Sequence, residues 1–206
     1  MKKRNRSTRN FANYKGYMRN RSTRNFANYK GYMRNRSAQV WVETVIYTLI
    51  AFVMIGLVLS YAKPKIEELQ DRAILQQSTE MMKQIDSTIL TMGSAGNQRI
   101  LEIGIKKGNL KLDCTNNKII FEMESKSIYS EPGKNISDGD VIVLTEKKTG
   151  YNLVTLTRDY NSQYDLKFEG SEILKVISKA SNPYKLTILN EGEDTNGKLV
   201  MNMSLS

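Results

Sequence analysis

The stretch "VWVETVIYTLIAFVMIGLVL", from Val40 to Leu59, limits what this chain can become more than any other part of it. It holds twenty residues and one charge, Glu43. At about 1.5 Å per residue a helix of that length covers roughly 30 Å, the thickness of a bilayer's hydrocarbon core, so a transmembrane helix is expected from Val40 to Leu59. The charges on either side orient it. Residues 1–38 carry twelve Lys and Arg and no Asp or Glu, so the formal net charge of +10 divides into +12 before the run and −2 after it. The positive-inside rule then keeps the N-terminus in the cytoplasm and exports everything beyond Leu59.

The basic segment reads as a tail and not as a domain. Asn5 to Arg19 recurs letter for letter as Asn20 to Arg34. Stacked repeats need units that can bury a core, and these have almost nothing to bury, so a recent duplication or an upstream-extended start explains the repeat better. Each copy contains a methionine, so translation could begin at Met1, Met18 or Met33, the last giving the leader "MRNRSA". Residues 1–38 are accordingly expected to be a disordered leader.

Beyond the span, "YAKPKIEELQDRAILQQSTEMMKQIDSTILTM" is rich in helix formers. Ile66, Leu69, Ala73, Met81, Ile85 and Ile89 recur at helical spacing around a polar Gln77, which predicts an amphipathic extension. Pro64 is expected either to start this stretch or to kink a helix continuous with the span. Unbroken to Met92, such a helix would be roughly 80 Å long. "GSAG" at 93–96 ends the pattern, and the apolar period then falls to two. Leu101, Ile103 and Ile105 alternate, "KKGN" reads as a hairpin turn, and Leu110, Leu112 and Cys114 follow. Seven more strand candidates lie between "KIIFEMES" and "KLVMNMSL", separated by Gly, Asn, Asp and Pro. The expected fold is therefore α+β: leader 1–38, transmembrane helix and extension 39–92, and an exported antiparallel β-rich sheet or sandwich 93–206.

Chemistry of an enzymatic kind finds little to work with. Histidine is absent, which removes the commonest general base and metal ligand. Cys114 is alone and reads as a small buried apolar group. No Gly-rich phosphate loop, nucleophile elbow or metal-ligand spacing occurs in the sequence. Asp138 and Asp140 flank Gly139, and a cation could be drawn there, although paired carboxylates at a strand entrance usually serve a turn. The expectation is no catalytic residue, no metal and no cofactor. Asn135-Ile136-Ser137 and Asn202-Met203-Ser204 are N-glycosylation triplets in the exported part, which makes Asn135 and Asn202 candidate acceptors.

Glu43 is the residue that demands an explanation. An ionised carboxylate in lipid costs on the order of 2.5 to 3.5 kcal/mol, unless it lies near enough to the interface to stay hydrated. Gln39 follows Ser37-Ala38 at the junction of the basic leader and the apolar run, and Glu43 is the fifth residue counted from Gln39. This layout resembles the N-terminus of type IV pilin-like proteins, above all the archaeal class whose leader is cut before a Gln with Glu at the fifth position. The resemblance covers Arg36 to Leu59 and, more loosely, the helix and β-rich part that follow. It implies that a membrane prepilin peptidase cuts between Ala38 and Gln39, and that Glu43 pairs with the new amine of a neighbouring subunit in a filament. Trp41 and Tyr47 depart from the family pattern, which has Ser third and Leu ninth; Trp41 suits an interfacial anchor.

Two other readings use the same residues. The basic repeat, with Phe11, Tyr14, Tyr17 and their copies, has the composition of a nucleic-acid-binding arm, although a solvated topogenic segment would look alike. An ordinary single-pass surface protein with a ligand-binding or adhesive β-domain would also fit, with Ser60-Tyr61-Ala62 as a signal-peptidase triplet that would leave Lys63 as the first residue. The pilin-like reading is preferred. Its partners are the peptidase, other pilin subunits and membrane lipid, with no nucleic acid expected.

Overall fold

The computed structural model describes residues 36–206, with side chains from position 40 onward. The basic repeat, its expected disorder and the starts at Met18 and Met33 lie outside the described residues. A single helix, α1, runs 55 residues from Arg36 to Leu90 and passes through Pro64 without a break. Proline lacks the N–H that would bond to the Ser60 carbonyl, so one helical hydrogen bond is missing at that turn. The chain divides into two compact units between Phe52 and Val53, inside this helix. In the first, every side chain from Val40 to Phe52 is exposed.

The second unit joins the rest of α1 to ten strands: β1 (Gln98–Ile103), β2 (Asn109–Asp113), β3 (Lys118–Ser125), β4 (Asn135–Asp138), β5 (Val141–Lys148), β6 (Tyr151–Asp159), β7 (Tyr164–Phe168), β8 (Leu174–Ser178), β9 (Tyr184–Glu193) and β10 (Leu199–Leu205). They form a four-stranded sheet ordered β1-β9-β10-β7 and a six-stranded sheet ordered β4-β5-β6-β3-β2-β8. This is the α+β architecture of a long N-terminal helix and an antiparallel-rich β domain. One pair departs from antiparallel, since β10 runs parallel to β7. The chain leaves β7, adds β8 to the other sheet and returns through β9, which supplies the long connection that parallel neighbours require.

The hairpin expected at "KKGN" is corrected by this topology. β1 pairs with β9 and β2 with β3 and β8, so residues 106–109 carry the chain from one sheet to the other. Gly108 still has a physical reason: its φ is 87°, and an added Cβ would run into the Glu122 carbonyl oxygen. A glycine needed for close approach to β3 thus imitates a hairpin signal. β4 was not among the expected strands, being four mostly exposed residues, "NISD", at an edge.

Along β2, β3, β6 and β7 buried residues alternate with more exposed ones; in β3 the buried set is Ile119, Phe121, Met123 and Ser125. The inner faces of both sheets close with α1 on one core that includes Leu75, Met82, Ile85, Ile89, Phe121, Leu156, Ile188 and Met203. Each fully buried aliphatic of this kind contributes about 1.5–3 kcal/mol. Only part of the apolar spacing in the helical extension packs on the β domain. Ile85 and Ile89 are buried and Met81 is half-buried, but Ile66, Leu69 and Ala73 are exposed. The buried stripe begins at Asp71 and continues through Leu75, Ser78, Thr79, Met82, Ile85, Asp86 and Ile89.

Two carboxylates belong to that stripe because the β domain supplies their partners. Asp71 is 4% exposed and accepts from Lys107 Nζ at 2.5 Å and from the Lys126 backbone N–H at 2.7 Å. Asp86 accepts from Arg158 Nε at 2.6 Å. Burial works against the Arg158 charge, and the hydrogen bond and charge of Asp86 more than offset it, holding the guanidinium above its ordinary pKa. Arg158 also lies 5.0 Å over the Tyr160 ring. At the helix end Asn190, 1% exposed, donates to the Gly93 carbonyl at 2.7 Å, and its backbone carbonyl accepts from the Gly96 N–H at 2.7 Å. The loop leaving α1 is thereby tied to β9.

Candidate functional site

Ala38 and Gln39 lie in the first turn of α1, which begins at Arg36. Their side chains are outside the described residues. Glu43 follows one turn later on the same helix, so the expected cleavage point and the expected assembly carboxylate share one rigid element.

Around Glu43 the helix offers mostly hydrocarbon. Val40, Trp41, Val42, Val45, Ile46, Leu49, Ile50 and Phe52 are all exposed, Trp41 by 73%. The stretch continues apolar and uncovered to Leu59. Among the described residues, α1 is the one helix long and apolar enough to cross a membrane. Left in water, this surface would be far larger than the few hundred Å² of contiguous apolar area that soluble monomers expose. A lipid environment, or other helices, removes that cost.

The polar side chains in this segment are few and largely self-satisfied. Thr44 donates to the Val40 carbonyl at 2.9 Å and Thr48 to the Val45 carbonyl at 2.8 Å, so neither hydroxyl is turned toward the carboxylate. The partner that Glu43 does have is Tyr47, whose hydroxyl donates to Oε1 at 3.1 Å. Against the pilin-like pattern Tyr47 is only a departure at the ninth position. The signal that would have found the pair is its spacing: residues four apart on a helix meet, and the Cα–Cβ bond of the later one leans back toward the earlier.

The other sequence candidates fall in the β domain. Asn135 opens edge strand β4 and is exposed, as is Ser137. Asn202 sits in β10 between two neighbouring strands, and its amide is occupied: Nδ2 donates to Glu191 Oε1 at 2.6 Å, and Oδ1 accepts from the Gly170 N–H at 3.0 Å. Asp138 and Asp140 bracket the turn from β4 to β5, where Gly139 has φ 66°. Their carboxylates diverge to separate cations, Asp138 to Lys83 at 2.8 Å and Asp140 toward Arg158 at 3.8 Å. No group of three or more Cys, Asp or Glu that could hold a metal occurs among the described residues. Cys114 is 1% exposed, and burial pushes its thiol up to about 11, the character of an inert core residue.

Two concavities indent the outer faces of the sheets. One, about 420 Å³, is lined by Lys107, Asn109, Glu122, Glu124, Leu153 and Lys179. A smaller one, about 210 Å³, lies over Gln98, Thr187, Leu189, Asn202 and Ser204. Both are open and mixed in polarity, unlike the enclosed apolar pockets that hold small ligands. No family model matches the chain, and neither a characterised protein nor a solved structure matches it.

Proposed function

We propose that the chain is the precursor of an archaeal type IV pilin-like subunit, cut between Ala38 and Gln39 by a prepilin peptidase and assembled through its N-terminal helix into a surface filament. The observation that carries this reading is the division of labour along α1. From Val40 to Leu59 the helix is apolar and uncovered, with one carboxylate, Glu43, near its start. From Asp71 to Ile89 it is an integral part of the β domain's core, held by Asp71 and Asp86. One half suits insertion and bundling, and the other anchors an exported domain.

In this reading the chain is a substrate of the peptidase and has no catalysis or cofactor of its own. The leader stays cytoplasmic, the span crosses once, and the β domain lies outside the cell. Cutting before Gln39 creates an ammonium at the start of the helix. A carboxylate and an ammonium attract strongly where the dielectric is low and are costly there when unpaired, so Glu43 of one subunit favours the register that meets the amine of the next. The filament core would bury the helices, and the β domains would coat it, an arrangement suited to adhesion.

The test is Glu43→Ala, expressed with a prepilin peptidase and a pilus assembly apparatus. Membrane insertion and cleavage should match the parent chain, while the yield of sheared filaments should fall about tenfold or more, as expected for removing one member of a pair in low dielectric. Normal filaments from the variant would remove Glu43 from assembly. Correct insertion of the parent chain with no filaments would favour a membrane-anchored β-domain protein instead.

A further inference from the structure

We infer that Tyr47 is a positioning residue for Glu43: in the single, unassembled chain its hydroxyl holds the carboxylate within the apolar layer by one oxygen and orients it for an incoming ammonium. The inference deepens the assembly reading above and, in its final clause, rests on it. Its basis is the hydrogen bond from the Tyr47 hydroxyl to Glu43 Oε1, 3.1 Å.

The direction of that bond matters. Tyr47 stands four residues further along α1, about 6 Å deeper into the apolar run than Glu43. A long polar side chain near the end of a membrane helix ordinarily snorkels outward to the headgroups. Here the carboxylate is bonded on its inward side, by a residue whose ring is apolar and whose one polar atom reaches back one turn. A lipid-facing leucine at position 47 would fill the same space and offer nothing to the carboxylate. The nearby hydroxyls do not substitute, because Thr44 and Thr48 are engaged by backbone carbonyls.

A tyrosine is also suited to being a temporary partner. Its hydroxyl is a neutral donor, so it stabilises the carboxylate without cancelling its charge, and the stronger charge-assisted bond goes to an ammonium when one arrives. Oε1 is committed to Tyr47, and Oε2 makes no hydrogen bond among the described residues. The helix thereby presents a carboxylate with one oxygen fixed by Tyr47. An orientation set before assembly reduces the side-chain freedom lost when two helices meet.

The experiment is a double-mutant cycle on the full chain in phosphatidylcholine vesicles: parent, Tyr47→Phe, Glu43→Gln and the double variant. Two quantities are read. One is the infrared carboxylate band of Glu43, isolated by difference against Glu43→Gln in protein carrying 13C-labelled glutamate. The other is the ratio of inserted to uninserted chain, by protease protection of the leader. Tyr47→Phe should shift the Glu43 band and lower the insertion ratio about fivefold, a loss typical of a hydrogen bond within a membrane protein, and should leave the insertion ratio unchanged when Glu43→Gln is already present. An unshifted band, or an equal insertion loss in both backgrounds, would overturn the inference. Filament yield from the parent chain is scored separately. If the parent builds none, the assembly reading fails while the vesicle cycle still decides whether Tyr47 holds Glu43.

Discussion

Removing the Asp86 carboxylate should destabilise the chain far more than removing the whole ion pair to which it belongs. Asp86 and Arg158 meet at 2.6 Å with side chains only 11% and 18% exposed. Replacing Asp86 by Leu leaves a guanidinium largely out of water. Its remaining acidic neighbour is Asp140, at 3.8 Å and 64% exposed, a contact of the solvent-screened kind worth about 1 kcal/mol at most. Breaking a buried pair from one side costs about 3–5 kcal/mol, and the residual exposure of Arg158 places this case near the lower end, about 3 kcal/mol. At an m-value of about 2 kcal/mol/M that lowers the urea midpoint by about 1.5 M. Asp86→Leu with Arg158→Met removes both charges. It also forfeits the cation–π contact with Tyr160, worth about 0.5–1 kcal/mol, and should lie within about 1 kcal/mol of the parent. The assay is urea unfolding of the full chain in detergent micelles, followed by the near-ultraviolet dichroism of the Tyr160–Tyr164 edge-to-face pair. A single variant no less stable than the double would refute the account of Asp86 as the charge that makes Arg158 tolerable against the helix.

Two further perturbations probe the domain by different physics. Gly108→Ala combines a φ of 87° with a Cβ directed at the Glu122 carbonyl, and should cost about 2–4 kcal/mol, whereas alanine at Gly150, where nothing lies within 4 Å, should cost only the positive-φ penalty of about 1 kcal/mol; equal midpoint shifts for the two would refute the close approach to β3. Cys114 has a thiol raised from 9.0 to about 11 by burial, so its contribution to stability is present below pH 9 and is lost as pH rises through about 11. The parent should therefore lose about 2 kcal/mol more than Cys114→Ala between those limits, and a disulfide exchange reagent at pH 8 should label the thiol only after unfolding.

Legibility in the sequence followed how directly a residue's pattern reports its surroundings. The apolar helix was plain because twenty residues with one charge admit few other structures. The strands from β5 to β10 were plain because alternation and turn residues coincide there, as at Asp138-Gly139-Asp140. The buried stripe of α1 is not legible from apolar spacing because it carries Asp71 and Asp86, and a carboxylate reads as solvent-facing until its partner is known. Those partners, Lys107, Lys126 and Arg158, lie 36, 55 and 72 residues away, beyond the reach of any local period. "KKGN" misled for a related reason, since glycine marks close approach as well as tight turns. The Glu43–Tyr47 pair lies within reach of helical spacing, whereas the pilin-like pattern marks Tyr47 only as a departure at the ninth position.

In the proposed precursor the helix gains its free N-terminal amine from a cut on the cytoplasmic side. The most direct test is the N-terminal sequence and intact mass of the protein isolated from membranes that contain a prepilin peptidase. The expected result for a pilin-like precursor is a mature chain beginning Gln39-Val40-Trp41, whichever methionine begins translation. A chain beginning at Lys63, or one that still carries the basic leader, would contradict it.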